Sequence, residues 1–402
     1  MEKSTKVYKK GKRLKLKISE NLWKYILENY NEFFLEKIKK SFPKFDEWVK
    51  GLDDPTIRQV EELSRKLFIP FGYFFLDKLP EEKLPVPFYR KGFKWEGKIS
   101  VELKEVLRDI QRKQDFLKDY FEYAGEKPLN FVGSININEY SKKCVNKIRQ
   151  TLSLPEDWSL KLKNRNEAFN FLREKIEALR ICVFTNSVLL FNNRKKLNPE
   201  EFKGISLVDK YAPVIFINTN DTLNSRIFTL MHELIHVFLG KGEILGDGEE
   251  IEEGADRIEI FCDNVSADLL APQSLFLKKW KETEENIERL SDEFKVSPMV
   301  VIRRARYMSL INSFEYQSFK NDYLQKLKSM KSEKKTERGG GNFYELHYKR
   351  LSKNFILTVL SALSANYLSF TDAYNYLGVR GKTFDKFVEL AVEGMRSAQV
   401  ST

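Results

Sequence analysis

Two of the three histidines of this 402-residue chain, His232 and His236, lie four residues apart, with Glu233 directly after the first. Residues i and i+4 share one face of an α-helix, so both imidazoles can reach a single metal ion. Imidazole is a common zinc ligand, and a carboxylate beside the first ligand can act as a base toward a water on that metal. The spacing therefore predicts zinc hydrolytic chemistry of the metalloprotease type.

A packing role for the same residues is the alternative. Residues 227–239 form an apolar stretch, and histidines inside a core helix can satisfy backbone carbonyls or each other. Two imidazoles and a glutamate on or near the buried side of a helix are costly unless a compensating partner binds them. We therefore favour the metal site.

A catalytic zinc site needs a third protein ligand and leaves one position for water. His347 lies far along the chain beyond a predicted linker, so we expect a carboxylate from the next predicted helix, residues 249–272. Four acids lie roughly along one stripe of that helix, and spacing does not choose among them: Glu252, Asp256, Glu259 and Asp263. Glu259 is favoured because apolar residues surround it, whereas Glu252 lies in a solvated acidic run.

Three runs of the sequence resemble the ImmA/IrrE family of metallopeptidases: EFKGISLVDKYAPVIFIN at 201–218, NSRIFTLMHELIH at 224–236 and EIFCDNVSADLLAP at 259–272. The resemblance implies that three residues hold Zn²⁺, namely His232, His236 and Glu259, and that Glu233 is the catalytic base. It also implies a gluzincin-like endopeptidase that cleaves a small number of regulatory proteins, such as repressors or antitoxins in stress or mobile-element control.

The chain departs from the family pattern at three positions. Lys203 stands where arginine is usual, Asp263 where asparagine is common, and Ser266 where alanine is usual. These changes leave the ligands and the base in place, so they bear on substrate fit. For stabilising the tetrahedral oxyanion besides zinc, Arg226 and Tyr211 are candidates that spacing does not place.

The elements that must position these residues indicate an α+β fold. We expect a mostly helical chain with a zincin-like metallopeptidase core, a small β-sheet, and helical regions at both ends. Strand-like runs precede the HExxH helix at 181–184, 187–191 and 212–218. An edge strand could hold an extended substrate backbone, and we place it at 203–205 or 214–217.

Composition and motif positions divide the chain into six segments. They are a basic tail (1–17), a helical, degenerate helix-turn-helix-like domain (18–80), a connector and long helix (81–136), an ImmA/IrrE-like metallopeptidase domain (137–325), a flexible linker (326–341) and a C-terminal helical extension (342–402).

The N-terminal domain resembles the second half of a phage-repressor (XRE-like) helix-turn-helix, with a helix begun by Pro55 and Thr56. The net charge of +11 is compatible with DNA as a partner, although much of it lies in runs at 3–17 and 326–338. Residues 28–40, where a recognition helix would lie, lack a clear array of base-reading side chains. The alternative function is therefore a DNA-binding regulator or antitoxin-like protein with a structural or vestigial zinc site.

Further motifs are expected to serve packing. The helix pair at 287–306 has a helix-turn-helix shape and a basic end, but we expect it to complete the core of the domain. His347 is expected to be a surface or packing residue. Cys144, Cys182 and Cys262 show no metal-ligand spacing, and core packing is the role we expect for Cys262.

Cysteine usage favours a reducing compartment, and we expect the cytoplasm. The apolar runs are much shorter than a membrane span and the start of the chain is basic, so we expect neither a transmembrane helix nor a signal peptide. The partner that this sequence predicts is thus a protein substrate, with DNA as a candidate and no membrane.

Overall fold

The computed structural model of the chain describes residues 7–10, 13–29, 32–67, 69, 71–77, 86, 88–90, 93–94, 99–139, 141–245, 256–333 and 342–400. Most of these residues are helical and the rest of the regular structure is short strands, so the expected α+β class is confirmed. The chain divides into two compact units, residues 1–84 with 97–107, and residues 85–96 with 108–402. Each has a hydrophobic core of its own.

The helices of the described residues fall in both units. They are α1 (Glu20–Asn29), α2 (Glu32–Ser41), α3 (Phe45–Val49), α4 (Ile57–Leu67), α5 (Val101–Tyr123), α6 (Ser141–Leu152), α7 (Arg165–Glu177), α8 (Leu223–Leu239), α9 (Arg257–Leu270), α10 (Gln273–Glu282), α11 (Ile287–Phe294), α12 (Pro298–Tyr307), α13 (Ser313–Glu333), α14 (Phe343–Arg350), α15 (Lys353–Ser364), α16 (Phe370–Leu377) and α17 (Lys382–Val400).

The strands are short. They are β1 (Val7–Lys10), β2 (Arg13–Leu16), β3 (Phe88–Arg90), β4 (Phe93–Lys94), β5 (Cys182–Asn186), β6 (Val188–Leu189), β7 (Asn192–Lys196), β8 (Gly204–Leu207), β9 (Val214–Asn218) and β10 (Glu243–Leu245).

In the N-terminal unit, α1 to α4 bury an aromatic core in which the rings of Trp23 and Phe45 meet edge to face at 5.5 Å. Helix α4 begins with a capping box. The Thr56 hydroxyl accepts a hydrogen bond from the Gln59 backbone N–H, and Oε1 of the Gln59 side chain accepts one from the Thr56 backbone N–H. No finding tests the helix-turn-helix assignment of this unit, which stays a prediction.

The prediction of a basic tail over residues 1–17 is wrong for its second half. Strands β1 and β2 pair there as an antiparallel hairpin. Leu16 is wholly buried, and its amide donates to the Pro55 carbonyl at 2.8 Å. The paired strands therefore carry four basic residues, Lys9, Lys10, Arg13 and Lys15, and Leu16 at the end of β2 joins the core.

The sheet of the second unit has the strand order β4-β3-β10-β8-β9-β5. Strands β5 and β9 are parallel neighbours and buried along their whole length, as their β-branched and aromatic residues predict. Strand β8 runs antiparallel to both of its neighbours, so Gly204 lies opposite Ile217 on β9 and Leu245 on β10.

The edge-strand prediction is wrong. Residues 203–205 and 214–217 fall in or beside β8 and β9, and each of those strands is paired on both sides. Strand β10, which follows the HExxH helix, occupies the outer side of β8. Since β4 and β5 are the outer strands of the sheet, addition of a substrate strand at β8 would require β10 to leave.

The predicted flexible linker (326–341) begins too early in the chain, because residues 326–333 are the last turns of α13; residues 334–341 lie outside the described part. Helices α14 to α17 belong to the same compact unit as the sheet. Phe355 of α15 packs on Phe184 of β5 at 5.2 Å, and Arg173 of α7 donates to the Lys349 carbonyl at 2.8 Å.

The packing roles predicted for the helix pair and for His347 are confirmed. Arg304 of α12 is buried, donates to the Ala271 carbonyl and forms an ion pair with Asp268. His347 is buried among aromatic rings, with Nε2 2.6 Å from the Leu377 carbonyl oxygen. Among the helices of the described residues, none is long and apolar enough to cross a membrane.

Candidate metal centre

Helix α8 carries both histidines through the middle of the second unit. The Thr222 hydroxyl caps its start by accepting a hydrogen bond from the Ser225 amide, and Gly240 ends it in the left-handed conformation at φ 74°. All residues from Thr229 to Leu239 are buried, as expected of a helix that packs on several sides. It contacts α7, α9, β8 and β9, which hold its polar side chains in a closed environment.

The two imidazoles turn toward one point. Nε2 of His232 and Nε2 of His236 lie 3.2 Å apart, and each side chain is almost completely buried. This is the arrangement that the i, i+4 spacing predicts.

The other ring nitrogen of each histidine has a partner that can only accept. His232 Nδ1 lies 2.9 Å from Asp263 Oδ1, and His236 Nδ1 lies 3.1 Å from the Lys241 carbonyl oxygen. Both Nδ1 atoms must therefore carry the proton and donate. In the neutral rings, both Nε2 atoms then present lone pairs to the space between them.

The Glu259 carboxylate of α9 adds a third set of acceptors. Its Oε2 lies 3.6 Å from His232 Nε2 and its Oε1 lies 3.5 Å from His236 Nε2, with the side chain 1% exposed. Two imidazole lone pairs and a buried carboxylate facing one another call for a cation between them. Imidazole nitrogen and carboxylate oxygen are zinc donors, so the donor set fits Zn²⁺.

The four acids that spacing left open have different positions. Glu259 faces the histidine pair, whereas the Asp256 side chain caps α9 by accepting from the Ile258 amide. Asp263 lies one turn beyond Glu259, and its Oδ1 accepts from His232 Nδ1, on the side of the ring away from His236. The other carboxylate oxygen of Asp263 lies 3.5 Å from Arg303. Glu252 lies outside the described residues. The position of Asp263 is that of an outer-shell partner, which fixes the tautomer and orientation of a metal ligand.

Glu233 is fully buried beside the histidine pair and lies against the backbone of β8. A Cβ atom built on Gly204 would be 2.5 Å from Glu233 Oε1 and 2.5 Å from Thr229 Cγ2. Only glycine therefore leaves room for the glutamate at this place in the strand. Sequence reasoning did not single out Gly204, because the contact joins residues that are distant in the chain.

Cys262, which was expected to serve packing, lies at the same centre. Its Sγ and one ring nitrogen of each histidine, His232 and His236, all lie within 4.8 Å of one another. The cysteine is wholly buried on α9, one turn after Glu259. The signal that could have found it was the three-residue interval from Glu259, which places both side chains on one helix face.

Arg226 and Tyr211, the two candidates for stabilising the oxyanion, make contacts with the backbone or side chains of nearby loops. Arg226 donates to the Asp221 carbonyl at 2.8 Å and to the Thr219 carbonyl, and burial lowers its pKa. It braces the loop between β9 and α8. The Tyr211 backbone amide donates to Asp209 in the turn before β9, and the role of the Tyr211 side chain stays a prediction.

Comparison with known proteins agrees with this geometry. Residues 176–306 match the family model Peptidase_M78, described as the IrrE N-terminal-like domain. The matched stretch runs from the end of α7 to α12 and contains the whole histidine and glutamate cluster. This part of the chain is therefore a domain of the ImmA/IrrE metallopeptidase family, as the sequence resemblance implied.

A second model, described as a domain of unknown function (DUF8813), matches residues 351–390 in the C-terminal helices. No curated protein and no solved structure matches the chain significantly. The family match suggests a peptidase and a metal requirement, and gives no substrate.

Proposed function

We propose that this chain is a zinc-dependent endopeptidase of the HExxH type, with His232, His236 and Glu259 as metal ligands and Glu233 as catalytic base. The observation that carries the proposal is the convergence of two imidazole Nε2 atoms and one buried carboxylate at distances of 3.2 to 3.6 Å. The match of the surrounding segment to a peptidase family supports the same chemistry.

Zinc bound by these residues would supply Lewis-acid polarisation of a scissile carbonyl and activation of water at neutral pH. The protein residues orient the metal ligands and transfer the proton. Asp263 and the Lys241 carbonyl hold the two ring protons at Nδ1, so both Nε2 lone pairs stay available. Glu233, fixed against Gly204, accepts the proton of the attacking water and passes it to the leaving amine.

The substrate that we propose is a specific regulatory protein, such as a repressor or antitoxin. The resemblance of the motif segments to the ImmA/IrrE family supports this narrower class. We retain the cytoplasm as the compartment because the three cysteines are buried, unbridged thiols, in keeping with a reducing environment.

The first test is metal content. Elemental analysis of the purified wild type should give close to one zinc per chain, because three donors converge on one point. His232→Ala and Glu259→Gln should each bind zinc much more weakly than the wild type, and Glu233→Gln should keep it because that side chain is assigned as base. Zinc retained in Glu259→Gln but lost in His232→Ala would move the third ligand to another acid or to Cys262. Absence of metal in all samples, even after incubation with zinc, would overturn the proposal.

The second test is peptide cleavage. Zinc-loaded wild type and Glu233→Gln are each incubated with a peptide library made from a digested proteome, and new termini are identified by mass spectrometry. We expect cleavage by the wild type and a loss of about 10²- to 10⁴-fold in the variant, the usual contribution of a positioned base. Equal cleavage by both proteins would remove Glu233 from the mechanism. A sequence-specific, salt-dependent DNA shift in the absence of any cleavage would favour the regulator.

A further inference from the structure

Helix α9 presents three side chains to the histidine pair. Glu259, Cys262 and Asp263 occupy positions i, i+3 and i+4, which share one helix face. Glu259 faces the two Nε2 atoms, and Asp263 reaches behind to His232 Nδ1. Cys262 therefore lies between a residue assigned as ligand and the residue that orients another ligand.

The distances suit a shared metal. Zinc bonds are about 2.3 Å to sulfur and about 2.0 Å to nitrogen, so a sulfur and a nitrogen bound to one tetrahedral ion lie about 3.5 Å apart. Cys262 Sγ and one ring nitrogen of each histidine lie within 4.8 Å of one another. Joint coordination thus requires these atoms to approach one another by up to about 1.3 Å, through rotation of the side chains.

Cys262 belongs to the hydrophobic core, as Cys144 does, so packing is one of its roles. Cys144 is also wholly buried on a helix, but its Sγ lies near the Asn136 carbonyl and the Glu139 carboxylate. Cys182 lies in β5 of the sheet. Among the three cysteines, Cys262 is the one whose Sγ lies within 4.8 Å of a ring nitrogen of each histidine, His232 and His236.

We propose that Cys262 is a fourth protein donor to the metal, binding through its thiolate sulfur and releasing the thiol proton to solvent. The inference rests on the metal centre of the proposed function and deepens it. Structural zinc sites have four protein donors, whereas catalytic sites have three and an open position. With Cys262 bound, the resting centre is closed, so the cysteine must leave the metal before the water of the proposed reaction can bind there.

The test replaces zinc by cobalt, whose bond to a thiolate produces a sulfur-to-metal charge-transfer band in the near ultraviolet. Apo-protein is titrated with Co²⁺ alone, and the spectra of wild type, Cys262→Ser and Cys144→Ser are compared at one equivalent of bound metal. We expect the band in the wild type and in Cys144→Ser, and its loss in Cys262→Ser. Cobalt should remain bound in that variant, because His232, His236 and Glu259 are intact.

The outcomes separate the two proposals. Bound cobalt without a charge-transfer band in the wild type, or a band that persists in Cys262→Ser, overturns the role of Cys262 and leaves the metal centre standing. Failure of the wild type to bind cobalt or zinc overturns both. Should Cys262→Ser not fold, X-ray absorption at the zinc edge of the wild type decides, since one sulfur at about 2.3 Å is required.

Discussion

The side chains behind the histidines determine how well the centre holds a metal. Asp263 accepts from His232 Nδ1 at 2.9 Å, and that bond keeps the Nε2 lone pair directed at the metal position. We expect Asp263→Ala to weaken zinc binding about 10- to 100-fold, the usual cost of removing such a partner. Competition with a chelating dye of known affinity measures this effect.

Asp263→Asn is the matched control. The amide oxygen of asparagine can still accept from Nδ1, and asparagine is the residue that the family pattern has at this position. We therefore expect zinc affinity within a few-fold of the wild type. An equal loss in the two variants would show that the charge of Asp263 matters, and an unchanged affinity in Asp263→Ala would contradict its orienting role.

Gly204 is required by the space that Glu233 occupies. A methyl group at this position would meet both Glu233 and Thr229 at 2.5 Å. We expect Gly204→Ala to lower the free energy of unfolding by about 1–3 kcal/mol, the usual cost of overpacking, and to displace Glu233. Urea denaturation measures the first effect. Gly72→Ala is the control, because a Cβ there has no neighbour within 4 Å.

The residues that the sequence could predict are those linked by local helix geometry. His232, Glu233 and His236 fall on one helix, so their spacing alone specifies their arrangement. Gly204 acts through a contact between strand and helix that no sequence interval records. Cys262 and Asp263 follow Glu259 at three and four residues, so helix periodicity places all three on one face of α9. Periodicity alone does not say which of them binds the metal, which orients a ligand and which packs.

At the level of elements, the end of α9 is held by an arginine from another helix. Arg149 of α6 donates to the Leu269 carbonyl at 2.7 Å and to the Asp268 carbonyl at 3.1 Å, and burial lowers its pKa. We expect Arg149→Met to lower the free energy of unfolding by about 3 kcal/mol, because buried carbonyls lose their donor. The zinc affinity of Arg149→Met should also be lower than that of the wild type, because α9 carries the ligand Glu259.

Lys143→Met on the same helix is the control for Arg149. Lys143 is exposed and lies 3.7 Å from Glu139 in a surface ion pair, so the unfolding free energy should change by less than about 0.5 kcal/mol. Chemical denaturation of both variants compares them directly. Equal stability of Arg149→Met and Lys143→Met would show that the end of α9 does not depend on the buried guanidinium.

Several strands of the sheet could be predicted, but their neighbours could not. The runs that became β5 and β9 are buried and rich in β-branched residues, so their composition indicated strands. Strand β10 is three residues long and pairs with β3, far away in the chain. Because such pairing depends on tertiary packing, the sequence led to the wrong edge strand.

At the level of the whole molecule, stability should depend on pH through His347. Burial lowers the pKa of this imidazole below its usual value of 6.5; the hydrogen bond to the Leu377 carbonyl opposes this shift, and the charges of Arg350 and Lys113 add to it. Below pH 6.5 the unfolded chain takes up a proton that the folded chain does not. The unfolding free energy should therefore fall as the pH falls, by at most about 1.4 kcal/mol per pH unit, until the pH passes below the lowered pKa.

The comparison protein for this effect is His347→Gln. Its side chain does not titrate, so the difference in unfolding free energy between wild type and variant isolates the contribution of His347. Denaturation at pH values from 5 to 7.5 should show the wild type losing stability relative to the variant toward acid pH. A difference that is constant over this range would contradict the assignment.

The C-terminal helices are expected to remain attached after the chain is cut before them. Phe355 is wholly buried against Phe184, and Arg173 donates to the Leu351 carbonyl at 2.6 Å. A recognition site for a sequence-specific protease placed at 339–341 allows the backbone to be cleaved there. The two fragments should elute together in size-exclusion chromatography, because the contacts that join them do not pass through that segment.

A pair of substitutions on α15 tests which contacts hold the fragments together. Phe355→Ala should cost about 3–5 kcal/mol, the range for removing a buried aromatic side chain, and should release the C-terminal fragment after cleavage. Leu357→Ala, at a side chain that is 42% exposed, should leave the fragments associated. Separation of the cleaved wild type would instead mean that residues 342–402 form an independent domain.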